Sequence, residues 1–315
     1  MKLQELITQY EAFRKSMGED FQSAESLLDT FCRCMRVEID IDEIRAEQVE
    51  VFLAGIGPVN RYWRRKYETL RGLYRYATSR GFVDHISMPA TAPKMPERFV
   101  PYLYSAHELR RLINPIAPKQ IGFRKLQPHT LRAVLLLQYG AGLRIGEAVA
   151  LTVQDVDLDA AAVTIRNTKF HKKRWVPVGL KLNQAMMECA AQRKEAGHSQ
   201  SADAPFFVLR RGAPLSVQIV EQAFTRLRKS AGVGRADGAR YQPRLHDMRH
   251  CFAVRRLTSW YEQRADVQKL LPHLATYLGH VSIAATQVYL TMTPELLHAA
   301  SLRFERYAFQ EASHD

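Results

Sequence analysis

The chain has 315 residues, room for two domains, and 46% of them are hydrophobic, enough to build packed cores rather than a disordered chain. Lysine and arginine number 45 against 32 aspartates and glutamates, and a net charge of +13 implies a polyanionic partner, nucleic acid ahead of an acidic membrane surface. No run of about 18 uninterrupted apolar residues occurs and the N-terminus alternates charged with apolar residues, which argues against a membrane span or a signal peptide and for a cytoplasmic protein.

Leu3, Leu6, Ile7, Tyr10 and Phe13 recur at helical spacing, as do Leu27, Leu28, Phe31 and Met35, then Ile44, Val51 and Phe52 after "IDIDEI". The first part of the chain therefore reads as a helical bundle. Its last helix lies in "NRYWRRKYETLRGLYRYATSRG", where Arg61, Arg64, Arg65, Lys66, Arg71, Arg75 and Arg80 face a single acid, Glu68. Trp63, Tyr67, Leu70, Tyr74 and Ala77 supply its apolar face. A solvated helix face normally mixes signs, whereas a one-signed stripe suits a phosphate backbone, so Arg61, Arg64, Arg65, Lys66, Arg71 and Arg75 are expected to contact double-stranded DNA. Arginines in the major groove can also read guanine edges.

Pro89, Pro93, Pro96 and Pro101 crowd "PATAPKMPERFVP", a composition that blocks helix and favours a stiff, extended connector. The expected division is a helical domain over 1–88, a linker over 89–102 and a second domain over 103–315. Beyond the linker, "SAHELRRLINPI" with Ser105 as N-cap and "HTLRAVLLLQYGAG" read as helices. In "AAVTIRNTKFHKKRWVPVG", Val163 and Ile165 alternate with polar residues and Trp175, Val176 and Val178 resume after a polar cluster, predicting a hairpin with a basic tip. Helical patterns follow over 181–196, 216–231, 246–260 and 294–309. The expected fold is mainly α with a small β-sheet, and the second domain is α+β.

The scattered cysteines Cys32, Cys34, Cys189 and Cys251 lack the spacing of a zinc site and read as reduced thiols. In "YGAGLRIGEAVAL", Arg144 sits among Gly142, Leu143, Ile145 and Gly146, where desolvating it is costly unless an anion meets it. A buried pair with Glu147, or a cap at a helix end, answers that need as well as a bound phosphate does. "RLHDMRH" packs two arginines and two histidines into seven residues, and His246 and Arg249 at i and i+3 share one face of a helix. His246 with His250 has the i, i+4 spacing of a zinc pair but no intervening Glu and no obvious third ligand. "YLGHVSIAATQVYLT" adds His280 and Tyr289. Alone, a tyrosine on an apolar helix is ordinary core. Metal-free phosphodiester cleavage, however, needs cations on the non-bridging oxygens, an in-line nucleophile and a proton donor for the leaving oxygen. These residues, with a lysine from the hairpin tip, supply all three.

"AGLRIGEAVALTVQDVD", "TKFHKKRWVPV", "HDMRHCFA" and "YLGHVSIAATQVYL" occur in the order and with the spacing of one family, and the chain resembles the tyrosine recombinases, also called phage-type or lambda-type integrases. Each piece alone is weak, and four in order are specific. The resemblance covers Arg144 to Tyr289, and the basic helical first domain is similar to the family's core-binding domain. It implies that Arg144 and Arg249 clamp the scissile phosphate, Tyr289 attacks it to form a 3′-phosphotyrosyl intermediate, Lys169 protonates the departing 5′-oxygen, and His246 and His280 assist by proton transfer and hydrogen bonding. Asp247 and His250 are read as orienting or supporting. Lys169 is chosen because "TKF" matches the family's acid position; Lys172 and Lys173 read as backbone-phosphate contacts. The stretch "SWYEQRADVQKLLPHLATYLGH" ahead of His280 is longer than in compact members.

The linked phosphotyrosine would preserve the phosphodiester's energy, so no metal, nucleotide or other cofactor is implied, and no "GxxxxGK[ST]" is present. A non-cleaving relative would lack one of Arg144, Lys169, Arg249 and Tyr289, and all four are here. A type IB topoisomerase shares the chemistry, but a bundle, a linker and a catalytic half fit a recombinase better. The chain starts directly in the bundle, which points to a simple recombinase without arm-site binding. Leu296, Leu297, Ala300, Phe304 and Tyr307 after Pro294 form an apolar stripe, and the resemblance implies its exchange between protomers of a DNA-bound tetramer.

Overall fold

Helical spacing of apolar residues in the first hundred positions produces α1 (Leu3–Ser16), α2 (Gln22–Met35), α3 (Ala46–Ala54) and α4 (Arg61–Ser79). The structure, a computed structural model, describes residues 1–302 apart from 20, 37, 57–58, 90, 95–99, 115, 119–121, 123–124, 167–172, 240, 281, 292–297 and 299–300. Lys169, Lys172, the expected hairpin tip and nearly all of the expected 294–309 helix thus lie outside the described residues. The chain divides into two compact units, Met1–Phe99 and Val100–Asp315.

In the first unit, Leu6 and Ile7 of α1, Leu28 and Phe31 of α2 and Leu70, Leu73 and Tyr74 of α4 are buried together. Asn60 starts α4 by accepting from the amides of Tyr62 (2.9 Å) and Trp63 (3.0 Å), two donors the helix cannot otherwise satisfy. The expected apolar face of α4, Trp63, Tyr67, Leu70, Tyr74 and Ala77, is buried throughout.

In the second unit, α5 (Ala106–Ile113) opens on a capping box: Ser105 Oγ accepts from the Glu108 amide (3.2 Å) and Glu108 accepts from the Ser105 amide (2.8 Å). The central helix α6 (Pro128–Gly140) buries Leu131, Val134, Leu135 and Leu137. It packs against α8 (Leu180–Glu195) and α10 (Asp247–Glu262). Short α7 (Ile145–Val149) follows α6, and α9 (Val217–Ser230) joins the same core through Val220, Phe224 and Leu227. Strands β1 (Val156–Asp157), β2 (Ala162–Ile165) and β3 (Arg174–Pro177) form an antiparallel sheet in that order, with Val163 opposite Val176 and Thr164 opposite Trp175. Among the described residues the chain is mostly helical, with one small three-stranded sheet.

Sequence spacing assigned no element to the long stretch ahead of His280, and the structure forms α11 (Val267–Leu278) there. Asp266 caps it by accepting from the Lys269 amide. Val267, Leu271, Leu274 and Leu278 lie on one face and join Phe252, Leu257 and Tyr289 in a second core cluster. The helix stops at Gly279, whose φ of +65° is left-handed and suits a residue without a Cβ. Helix α12 (Ala284–Gln287) and a 3-10 turn over Val288–Thr291 complete the described path to Tyr289.

Candidate active site

Two glycine turns and one helix start bring the site together. Arg144 is the N-cap of α7: its amide donates to Glu147 (2.9 Å), and its guanidinium donates to Glu147 Oε1 (2.8 Å) and to the carbonyl of Gly279 (2.8 Å). The structural role considered for Arg144, a cap and a carboxylate pair, is real. It does not use up the charge, because Glu147 is shared. Arg174 of β3 donates to both oxygens of the same carboxylate, at 3.0 and 2.7 Å, and Arg249 lies 3.9 Å from it. Three guanidinium groups around one carboxylate leave the cluster net positive.

Arg249 is 1% exposed. Its Nη1 donates to the Gly142 carbonyl (2.5 Å) and its Nη2 to the Leu278 carbonyl (2.6 Å), acceptors that orient a guanidinium without cancelling its charge. Burial, then repulsion from Arg144, pulls its pKa down to about 10, so it remains charged at neutral pH. The turns that present these carbonyls have no space for a side chain. A Cβ on Gly142 would lie 2.5 Å from the Phe252 ring, and one on Gly279 would run into the Arg174 guanidinium. Burial pushes the Glu147 carboxyl up, but hydrogen bonds and charge from Arg174 and Arg144 outweigh it and hold the group below the usual carboxylate range.

Tyr289 is 3% exposed and reaches the cluster from the final 3-10 turn. Its Oη lies 3.1 Å from His250 Nδ1. The His280 ring stacks on its ring at 6.1 Å, while His280 Nδ1 is committed to Thr286 Oγ1 at 2.7 Å. His246, at the start of α10, meets His250 edge to face with ring centroids 4.8 Å apart. Burial raises the Tyr289 pKa, opposed by the charge and hydrogen bonding of Arg249 and by the charge of Arg144. Burial and neighbouring cations push His250 down to about 3 and His280 down to about 4, and they lower His246 as well. All three imidazoles are therefore neutral and weakly basic at pH 7.

The structure thus brings Arg144, His246, Arg249, His280 and Tyr289 together in the second unit. Tyr277, twelve residues ahead of Tyr289 in the chain, stacks instead on Phe252 with centroids 5.5 Å apart, packed against the apolar cluster. Asp247 is fully buried and accepts from the Arg244 amide and guanidinium at 2.8 and 2.9 Å, a support for the start of α10. His250 does more than support, since it touches the candidate nucleophile. Arg174 and Thr286 were not singled out in the sequence. The signal for Arg174 was its strand register: Arg174 and Val176 turn inward while Lys173 and Trp175 are exposed. No group of three His, Cys, Asp or Glu side chains placed to hold a metal occurs among the described residues.

On the α4 surface, Arg61, Arg64, Arg65, Arg71 and Arg75 are exposed, with Arg64 paired to Glu68 at 3.0 Å. Lys66 departs from the expected stripe. It is 8% exposed and donates to the carbonyls of Phe52 (2.5 Å) and Leu53 (3.2 Å) near the end of α3. The four-carbon stem crosses the helix packing, and those carbonyls lack acceptable partners within α3, so the ammonium satisfies them rather than facing outward.

Residues 104–295 match the phage integrase family. The chain belongs to that family. Among relatives it is similar to the integrase/recombinase y4rB of Sinorhizobium fredii, 37% identical over 78% of each chain. It is 31% identical to the tyrosine recombinase XerC of Azotobacter vinelandii over 89% of each chain. Its fold is that of a lambda integrase solved as a tetramer bound to a Holliday junction, with a TM-score of 0.62 at 19% identity, covering 90% of this chain and 78% of that one.

Proposed function

We propose that this integrase-family chain is a site-specific DNA recombinase that cuts and rejoins strands through a 3′-phosphotyrosyl bond to Tyr289. The observation that carries this is a tyrosine hydroxyl buried beside two arginines whose donors are fixed by backbone carbonyls and by one shared carboxylate. A free tyrosine is about one part in a thousand ionised at pH 7, so it becomes a nucleophile only where a base takes its proton and cations stabilise the product. Arg144 and Arg249 take the non-bridging oxygens of the phosphate. Tyr289 attacks in line, Lys169 protonates the departing 5′-oxygen, and His246 and His280 assist with proton transfer and hydrogen bonds. No chemical energy is lost, and the reverse attack reseals the strand without a nucleotide or other cofactor.

The helical unit over 1–88, with Arg61, Arg64, Arg65, Arg71 and Arg75 on one exposed face, holds the duplex, joined by Lys172 and Lys173 from the hairpin. By likeness to the lambda integrase tetramer, four protomers assemble on paired sites, and the segment after Pro294 exchanges between them. No helix among the described residues is long and apolar enough to cross a membrane. Action on cellular DNA places the protein in the cytoplasm.

Nicked DNA carrying the ends of the protein's own mobile element provides the test. The wild-type protein should form an adduct on a denaturing gel, and Tyr289→Phe should bind that DNA normally and form none. An adduct persisting in Tyr289→Phe moves the nucleophile elsewhere.

A further inference from the structure

We infer that His250, rather than His246 or His280, is the base that takes the Tyr289 proton during cleavage, an assignment that rests on the recombinase reading above. Among the three histidines of the site, His250 alone has a ring nitrogen at hydrogen-bond distance from the nucleophile, 3.1 Å between Nδ1 and Oη. His280 faces Tyr289 ring to ring, and its Nδ1 is held by Thr286. His246 presents its ring to His250, one step removed. His250 is also fixed in place: it lies within α10, whose flanking Asp247, Met248, Arg249 and Cys251 are all buried.

The step balances. With its own proton on Nε2, neutral His250 accepts at Nδ1; the Oη–H bond of Tyr289 breaks and an N–H bond forms. The freed Oη electron pair bonds to phosphorus while the P–O5′ bond breaks, and the leaving 5′-oxygen takes a proton from Lys169. Rejoining runs the same transfers backward, with the imidazolium returning its proton to the departing tyrosine oxygen.

Its surroundings make this base conditional on substrate. The charged and titratable groups facing His250 are Arg244 and His246 ahead of α10, Arg249 on it, His280 after α11 and Tyr289 in the last turn. Burial first, then the neighbouring His246, Arg244, Arg249 and His280, hold the imidazole neutral and weakly basic in the free protein. An anionic phosphate seated against Arg249 and Arg144 offsets that positive field, so His250 gains basicity when a scissile phosphate arrives. Without DNA, burial keeps Tyr289 protonated and the weakly basic His250 does not remove its proton.

Single-turnover cleavage of the element-end DNA separates this proposal from the reading beneath it. If the wild-type protein forms no Tyr289 adduct, the recombinase reading itself fails. If it does, His250→Asn and His250→Phe decide the base. Asparagine keeps a hydrogen-bond acceptor near the Nδ1 position but cannot carry the proton, and phenylalanine keeps only the ring volume. Both should bind DNA as tightly as the wild type yet cleave about 10²–10⁴-fold more slowly. Their rates should climb about tenfold per pH unit as hydroxide substitutes for the base. A 5′-bridging sulfur, which leaves without a proton, should restore Lys169→Ala but neither His250 variant. Cleavage by His250→Asn within about fivefold of wild type, or rescue of the His250 variants by sulfur, overturns the assignment. Should His250→Phe fold poorly, His250→Asn carries the test alone.

Discussion

Arg174 of β3 closes a two-pronged hydrogen bond on the Glu147 carboxylate, with both side chains about nine-tenths buried. The strand that follows the hairpin tip is thereby tied to the carboxylate that also orients Arg144. Because Arg144 and Arg249 share that carboxylate, removing its charge leaves three crowded guanidinium groups uncompensated. Glu147→Gln, which preserves shape, should therefore cost about 3–5 kcal/mol in urea denaturation, the usual scale for breaking a buried pair. A loss below about 1 kcal/mol means that solvent already screens the cluster.

Gly279→Ala should be poorly tolerated for two additive reasons. Its φ of +65° disfavours any L side chain by about 1–2 kcal/mol, and the new methyl would displace Arg174 from Glu147. Gly146→Ala is the stability control, since nothing lies within 4 Å of a Cβ there. Equal melting temperatures for the two variants would remove the steric argument.

Stability should fall on mild acidification. His250 and His280 titrate near 3 and 4 in the folded protein and near 6.5 when unfolded, so the unfolded chain binds more protons between those values. Their contribution is complete above about pH 6.5 and declines as the pH drops toward 4, by at most about 1.4 kcal/mol per pH unit for each. Urea midpoints at pH 7.0 and 5.5 measure it. The wild type should lose more between the two than His250→Asn, and a pH-independent difference contradicts the burial of the site.

Salt dependence separates the outward arginines from Lys66. Neutralising Arg64, Arg65 and Arg71 together should weaken DNA binding and flatten its salt slope, because fewer counterions are released. Lys66→Met should leave that slope unchanged and destabilise the protein by about 1–3 kcal/mol, as the Phe52 and Leu53 carbonyls lose their donor. A Lys66→Met slope that moves with the arginine variants returns Lys66 to the DNA face.

The sequence by itself determined the elements and the list of reactive groups. Periodicity of 3.6 and of 2 is written locally, so α4, α6, α10 and the β2–β3 pair could be read from spacing. Arg144 stood out because a charged side chain in an apolar run needs a partner, and His246, Arg249, His280 and Tyr289 joined it through the chemistry of phosphodiester cleavage and the resemblance to the tyrosine recombinases. Spacing along one chain carries no distances across it. That Arg249 is aimed by the carbonyls of Gly142 and Leu278 depends on turns 107 and 29 residues away. Lys66 looked like one more cation of a stripe until the end of α3 was packed beneath it. The choice among three histidines was likewise tertiary: only the path of α11 and the last turn lays Tyr289 against His250, and burial, absent from any linear pattern, keeps that imidazole neutral.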